Sequence, residues 1–243
     1  MRILIIRHGD PDYVTDTLNE KGKREAELLS ERLAKEDIDK IYVSPLGRAM
    51  ETAEYTLKKK GMEATVCDWL REFPVCIDRP DIPSGKKSVV WDWLPADWTK
   101  VDEFYDAEKW MDGPVVRDSG VREEFEKVKR GLDELLASHG YVREGRYYRA
   151  ENPNTDTIAF FCHFGLECLL LAHLLSVSPM PLWHGFCAPT SSVTTLYTEE
   201  RRKGIAYFRA FGFGDTSHLY AGGEPAAFSA RWRETYNSPG QRW

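Results

Sequence analysis

Short apolar runs alternate with amphipathic helical segments along this chain, and this alternation constrains the fold more than any other sequence feature. Residues 3–6, 41–43 and 157–162 are apolar runs rich in β-branched or aromatic residues, as expected for strands buried on both faces of a sheet. Each run is followed along the chain by a segment with apolar residues at helical spacing. The alternation predicts an α/β fold, a three-layer α/β/α sandwich with a mostly parallel central sheet.

Capping residues and glycines mark the boundaries of the predicted helices. Helical periodicity covers residues 19–35, 46–57, 119–139 and 166–175. Ser44 is predicted to be the N-cap of the second helix, with Pro45 at its first position, and Gly61 is predicted to end it. The other predicted elements are a strand at 64–67, a hairpin at 141–149 around Glu144-Gly145, strands at 192–197 and 205–211 joined by a polar turn at 198–204, and an irregular or short-helical tail from Gly212.

Residues 73–117 interrupt this pattern with many prolines and tryptophans. The composition is typical of an irregular insertion or lid, because linkers rarely contain tryptophan. We find no repeat and no domain boundary, so we predict one domain over residues 1–243 that carries this insertion. Its tryptophans either wall a pocket or only pack the insertion onto the core, and packing is slightly favoured.

Composition and charge exclude several classes of protein. No apolar stretch approaches the ~18 residues that span a bilayer, and residues 3–6 are too short for the core of a signal peptide. The 39 acidic residues exceed the 33 basic ones, for a net charge of −6, which argues against a duplex-DNA partner. Five cysteines without a CxxC pair are expected to be reduced. We therefore predict a soluble, cytoplasmic protein with no nucleic-acid or membrane partner; its oligomeric state stays open.

Polar residues directly follow three of the predicted strands. These residues are Arg-His-Gly at 7–9, Ser-Pro-Leu-Gly-Arg at 44–48 and His-Phe-Gly at 163–165. The second and third groups stand at the start of predicted helices. The carboxyl ends of parallel strands meet at one edge of a sheet, where ligands bind. The charged and imidazole side chains of these groups are Arg7, His8, Arg48 and His163. Two arginines and two histidines near helix N-termini predict a pocket for a dianion, most plausibly phosphate.

Several motifs together resemble a known family. They are LIIRHG at 4–9, DTLNEKGKREA at 16–26, SPLGRAMETA at 44–53, LREF at 70–73, FFCHFG at 160–165 and DTSHL at 215–219. On these motifs the chain resembles the histidine phosphatase superfamily, whose fold is called phosphoglycerate mutase-like. The resemblance implies a metal-independent phosphatase that needs no cofactor, forms a phosphohistidine and acts on a small phosphorylated metabolite.

The resemblance assigns roles to the clustered residues. His8 matches the histidine that attacks phosphorus, and Arg7, Arg48 and His163 match the groups that hold the phosphate. A neutral imidazole is a fair nucleophile near pH 7. The two arginines should favour the neutral form of His8 by charge repulsion, and its other ring nitrogen needs an acceptor, which we expect to be a backbone carbonyl.

Two carboxylates compete for the role of proton donor. Glu72 falls where the family places its general acid, and we prefer it. Asp10, close to the phosphate-binding loop, is the rival donor and a candidate substrate-binding residue. General acid catalysis matters here because an alkoxide is a poor leaving group.

Other nucleophiles and other histidines are assigned structural roles. We reject Ser44 as a nucleophile because its position is that of a helix cap. Cys162 is rejected because residues 163–169 contain no arginine that could bind phosphate beside a thiolate. The remaining histidines are interpreted as structural: His139, His173, His184 and His218.

Two other functions remain as alternatives. A cofactor-dependent phosphoglycerate mutase is disfavoured, because the residues after Gly9 and after Glu72 depart from the mutase pattern. A non-catalytic phospho-ligand binding module on the same fold is disfavoured by the intact histidine and arginines.

Overall fold

The computed structural model describes residues 1–83, 85–228 and 234–237. Its strands are β1 (Arg2–Arg7), β2 (Pro11–Asp12), β3 (Thr17–Leu18), β4 (Lys40–Val43), β5 (Ala64–Val66), β6 (Cys76–Ile77), β7 (Ser88–Val89), β8 (Tyr141–Glu144), β9 (Tyr147–Ala150), β10 (Thr157–Cys162), β11 (Val193–Arg202) and β12 (Ile205–Asp215). Its helices are α1 (Glu20–Leu33), α2 (Gly47–Lys60), α3 (Pro95–Trp98), α4 (Val121–Ser138), α5 (Phe164–Leu175), α6 (Pro179–Gly185) and α7 (Ser217–Ala221). The predicted α/β class is confirmed.

Eight strands form the central sheet, in the order β5-β4-β10-β1-β11-β12-β9-β8. The first four are parallel to one another, and the other four continue the sheet in antiparallel pairs. In the parallel part Arg7 pairs with Cys162, and Phe161 pairs with Val43. This register ends β1, β10 and β4 at the same edge, so the residues that follow them start from neighbouring points.

Strand β1 shows how the three layers are built. Leu4 and Ile6 face one apolar cluster, which includes Leu29 of α1 and Ala53 of α2. Ile3 and Ile5 face a second cluster, which includes residues of α4 and α5 such as Phe125 and Leu169. Because successive side chains of a strand point to opposite faces, a fully apolar strand needs helices on both sides.

The start of α2 differs from the prediction. The helix begins at Gly47 with Leu46 as its N-cap, so Ser44 is not the cap and Pro45 is not its first residue. The Ser44 side chain is buried and is already bonded to His163. Gly61 ends the helix as predicted, in the left-handed conformation with φ +63°.

Strands β11 and β12 are longer than predicted. Strand β11 ends at Arg202 and β12 begins at Ile205, so only two residues remain of the polar turn predicted at 198–204. The tail predicted from Gly212 also begins as strand, because Gly212 and Asp215 pair with residues of β11. Pairing with a neighbouring strand of the sheet thus outweighs the turn-like composition of these segments. The short helix expected in the tail is α7, and residues 229–233 and 238–243 lie outside the described part.

The predicted insertion packs on the helices beside the sheet. Trp110 and Trp91 lie with ring centroids 5.6 and 5.8 Å from Trp183 of α6. Arg79 is 8% exposed and donates to the carbonyl oxygens of Trp91 and Asp92, while its guanidinium pairs with Asp81. These contacts give the segment a defined conformation in spite of its short elements. Among the described residues, no helix combines the length and apolarity needed to cross a membrane.

Candidate active site

Histidines from two adjacent parallel strands meet at the carboxyl edge of the sheet. His8 follows β1 and His163 follows β10, and their ring centroids are 5.1 Å apart. Arg48, in the first turn of α2, donates from Nε to Nε2 of His8 over 3.3 Å. Arg7 is the last residue of β1 and is 5% exposed. The structure therefore brings together the four residues that the sequence grouped.

The contacts of the His8 ring define its tautomer. Nδ1 lies 2.7 Å from the carbonyl oxygen of Gly9, so this nitrogen carries the proton. Nε2 accepts from Arg48, so the lone pair is on Nε2. Burial, followed by the charges of Arg7 and Arg48, holds the pKa of His8 well below 6.5, although the Gly9 carbonyl opposes the shift. His8 is therefore a neutral imidazole, and the backbone acceptor expected for its second nitrogen is Gly9.

The main chain around His8 is held from both sides. The Gly9 N–H donates to Oγ1 of Thr52 on α2 over 2.9 Å, and the His8 carbonyl accepts from the Ser191 N–H over 3.0 Å. A Cβ on Gly9 would come within 2.7 Å of the Gly22 carbonyl oxygen. Glycine is thus required at position 9 by the close approach of α1, and the loop has little freedom to move.

Arg48 is held by a loop whose role the sequence analysis missed. Its Nη1 pairs with Oδ1 of Asp16 at 2.5 Å, and its guanidinium lies 5.5 Å from the ring centroid of Tyr13. The other Asp16 oxygen accepts from the Gly47 N–H over 2.7 Å. Burial favours a higher pKa for Asp16, but the Gly47 N–H and Arg48 together hold it below its ordinary value. Asp16 is therefore an ionised carboxylate that orients Arg48.

Polar partners orient both Arg7 and His163. Arg7 donates from Nη1 to the Ala188 carbonyl oxygen over 2.7 Å. His163 is fully buried, and its Nε2 lies 2.7 Å from Oγ of Ser44. Ser44 Oγ also accepts from the Leu46 N–H over 3.2 Å, so this one hydroxyl joins His163 to the start of α2. Nδ1 of His163 has no hydrogen-bond partner in the described part of the chain.

The Glu72 carboxylate lies against the start of α5. Oε1 accepts from the N–H groups of Phe73 and Leu166 over 2.9 and 3.0 Å, and Oε2 accepts from the Gly165 N–H over 3.4 Å. Burial raises the pKa of Glu72 above its ordinary value, and the three N–H donors and Arg7 only partly oppose this effect. A carboxyl group with a raised pKa near Arg7 has the properties of a general acid.

Asp10 occupies a different environment. Its Oδ2 accepts from Nδ2 of Asn19 over 2.7 Å, at the N-terminus of α1. No hydrogen bond or ion pair of the described residues joins the Asp10 side chain to His8, Arg7 or Arg48. Its side chain thus serves the junction with α1, whereas Glu72 contacts the segment that follows His163.

Known proteins resemble this chain in sequence. A family profile described as "Histidine phosphatase superfamily (branch 1)" matches residues 3–209. The chain belongs to this superfamily. Phosphoserine phosphatase 1 of Hydrogenobacter thermophilus is 25% identical over 221 residues, covering 84% of this chain and 90% of that protein. A probable phosphoglycerate mutase of Photorhabdus laumondii is 28% identical over 151 residues, covering 58% of this chain and 70% of that protein.

Solved structures share the fold. A mutant phosphoserine phosphatase from Entamoeba histolytica, in complex with phosphoserine, superposes with a TM-score of 0.57 at 19% identity, covering 90% of this chain and 98% of that chain. A mycobacterial glucosyl-3-phosphoglycerate phosphatase gives a TM-score of 0.57 at 20% identity, covering 88% and 99%. Family membership and these relatives support a phosphatase.

Gly165 of this histidine phosphatase gives a direct test of the packing around Glu72. A Cβ at this position would lie 2.7 Å from Glu72 Oε1 and 2.7 Å from the Trp91 ring. We expect Gly165→Ala to displace one of these groups, costing about 1–3 kcal/mol of stability and lowering kcat. Gly185, where a Cβ would meet nothing within 4 Å, provides the control: Gly185→Ala should leave both quantities unchanged. Steady-state kinetics and thermal unfolding measure kcat and stability of the two variants. Equal values for Gly165→Ala and Gly185→Ala would contradict the tight packing of Gly165 against Glu72 and Trp91.

Arg7, His8, Arg48 and His163 form the His8 cluster, and the remaining histidines bond to residues other than these four. His184 accepts from the Trp93 N–H and stacks on Trp98, and burial lowers its pKa to about 4. The other three are bonded as follows: His139 to Tyr42, His173 to Asp133 and His218 to Ser191. Within the described ranges, no group of three His, Cys, Asp or Glu side chains is arranged to hold a metal ion.

Proposed function

We propose that this protein is a metal-independent phosphatase that hydrolyses small phosphate monoesters through a phosphohistidine at His8. The observation that carries the proposal is the state of the His8 ring, a neutral imidazole whose Nε2 lone pair lies beside the Arg48 guanidinium. An imidazole in this state is ready to attack an electrophile that the adjacent cation attracts. A merely structural histidine would not need its basic nitrogen directed at an arginine.

The first chemical step transfers the phosphoryl group to the enzyme. Nε2 of His8 forms a bond to phosphorus as the ester P–O bond breaks with its electron pair. Glu72 gives its proton to the departing oxygen, so the product leaves as an alcohol. As charge redistributes over the phosphoryl oxygens, the side chains of Arg7, Arg48 and His163 stabilise it.

The second step restores the enzyme. The Glu72 carboxylate takes a proton from a water molecule, whose oxygen forms a bond to phosphorus as the N–P bond breaks. The electron pair of that bond returns to Nε2, so His8 is again a neutral imidazole and phosphate is released. Glu72 therefore acts as acid and then as base, which suits a carboxyl group whose pKa lies above its ordinary value.

The insertion at residues 73–117 is proposed to act as a lid on the single domain and to select the substrate. In support, the Trp91 ring and the Glu72 carboxylate both lie beside Gly165. Burial raises the pKa of Asp92, and the charges of Arg79 and then Arg7 oppose this shift, so Asp92 also lies near Arg7. The substrate class is that of small phosphorylated metabolites. Two relatives in this fold are named for phosphoserine, which belongs to this class.

The proposed function is tested with a generic aryl phosphate and the purified protein. We expect release of inorganic phosphate without any added phosphorylated cofactor, together with an acid-labile phosphoenzyme after rapid quenching. A mutase would instead interconvert the phosphoglycerates when primed by a bisphosphate and release little phosphate. Binding of phosphate without turnover of any ester would contradict the proposal and favour a binding module.

A further inference from the structure

A buried carboxylate connects two segments on either side of His8. Glu25 of α1 is 0% exposed. Its Oε2 accepts from the Asp10 N–H over 2.9 Å, and its Oε1 accepts from the Thr190 hydroxyl over 3.0 Å. Asp10 and Thr190 are separated by most of the chain, and this one side chain bonds to both, in addition to the backbone bond from the Ser191 N–H to the His8 carbonyl.

Both segments determine where the His8 ring lies. Asp10 comes two residues after His8, in the loop whose Gly9 carbonyl accepts the ring proton. Thr190 precedes Ser191, whose N–H donates to the His8 carbonyl over 3.0 Å. A shift of either segment would rotate or translate the imidazole relative to Arg48.

We propose that Glu25 is a positioning residue for His8: by joining the Asp10 N–H to the Thr190 hydroxyl, it holds the imidazole in line for attack on phosphorus. The proposal rests on the proposed function, since it assigns Glu25 a role in phosphoryl transfer to His8. Glu25 does not contact His8 itself, so it acts through the two loops.

The geometry distinguishes Glu25 from a carboxylate that merely fills the core. Around it the backbone has no spare room, because a Cβ on Gly22 would lie 2.1 Å from the Asp10 carbonyl oxygen. Burial raises the pKa of Glu25 to about 7. The Thr190 hydroxyl, the Asp10 N–H and the charge of Lys21 oppose this shift, whereas the charge of the Asp10 side chain adds to it. A protonated Glu25 can keep both bonds by donating its hydroxyl to Thr190 Oγ1, and glutamine can make the same pair of bonds with its amide.

The test first compares three variants in single-turnover phosphoenzyme formation and in steady-state kcat and KM. Glu25→Met removes both bonds at similar volume, and we expect phosphoenzyme formation to slow by about 10- to 100-fold, because a displacement near 1 Å can cost 10²-fold, with KM changed less than threefold. Glu25→Gln should restore the rate to within about threefold of the original enzyme, since it keeps both bonds. Leu29→Val, one turn along α1 and fully buried, should lower the melting temperature without slowing the reaction.

A milder variant covers the case in which Glu25→Met folds poorly. Thr190→Val removes one of the two bonds and should slow phosphoenzyme formation by a smaller factor. In the Glu25→Met background the same change should have little further effect, because the bond it removes is already lost. Additive effects, or a Glu25→Met protein with full rates, would overturn the positioning role. Absence of any phosphohistidine in the unaltered protein would instead overturn the proposed function, so the two failures are distinguishable.

Discussion

His8→Ala is expected to lower kcat on an aryl phosphate by about 10³-fold or more, the scale on which loss of a covalent nucleophile acts in other enzymes. The reason lies in Nε2, which carries the lone pair and accepts from Arg48, whereas Nδ1 is bonded to the Gly9 carbonyl. Without it no phosphoenzyme can form at this position. The measurements are steady-state turnover and trapping of radiolabelled phosphoenzyme after rapid quenching.

A matched histidine makes the comparison specific. His139 is bonded to Tyr42, away from the His8 cluster, and His139→Ala should leave turnover unchanged. Phosphate should still bind to the His8→Ala protein, because Arg7, Arg48 and His163 remain. A His8→Ala protein that turns over substrate at the original rate would refute the catalytic proposal.

Glu72→Gln should affect substrates according to their leaving groups. For an alkyl phosphate we expect single-turnover phosphoenzyme formation to slow by about 10²- to 10⁴-fold, the usual contribution of general acid catalysis. For an aryl phosphate with an acidic phenol the rate of this step should fall much less, because that oxygen leaves without protonation. The rate of phosphoenzyme formation is measured for a series of leaving groups, because the later hydrolysis of the phosphoenzyme also needs Glu72 and is common to all substrates.

The pH dependence gives a second measurement for Glu72. Protonated Glu72 is needed for the first step, so the rate of phosphoenzyme formation from alkyl phosphates should decline as pH rises through the Glu72 pKa, which burial places above its ordinary value. The rate of this step should fall at low pH only where His8 becomes protonated, well below pH 6.5. Glu72→Gln should remove the high-pH decline and leave the low-pH one.

Asp10 provides the control for this series. Because Asp10 is bonded to Asn19, Asp10→Asn should keep the dependence on the leaving group and the high-pH decline. Asp10 would be the proton donor instead if two results were found together. Glu72→Gln would slow the reaction equally for alkyl and aryl substrates, and Asp10→Asn would remove the decline in rate at high pH.

Much of the fold could be predicted because its strands and helices repeat strong local signals. The run at 157–162 is buried along its whole length as β10, and Gly61 ends α2 where its left-handed conformation requires glycine. Errors occurred where a distant contact outweighed a local preference. Ser44 has the composition of a helix cap, yet its hydroxyl is bonded to His163, which lies 119 positions away in the chain.

The candidate site was predicted only in the residues proposed to meet the substrate. His8, Arg48 and His163 stand in motifs at strand ends, where the sheet topology places ligands. Their surroundings are held by Asp16, which bonds to Arg48, by Thr52, which bonds to Gly9, and by Glu25, which bonds to Asp10 and Thr190. Such partners have no characteristic spacing along the chain, so no sequence signal identifies them.

The amino-acid pattern by itself determined the α/β class, the edge of the sheet at which a dianion should bind and the residue types that would meet there. Those conclusions follow from periodicity and from the ends of strands, which are properties of short segments. Only the tertiary structure decided which ring nitrogen of His8 carries the lone pair, which carboxylate lies against α5 and which residues hold the loop of His8 in place. Each of these depends on distances between segments far apart in the chain, because protonation and hydrogen bonding respond to every neighbour in space, whatever its position in the sequence.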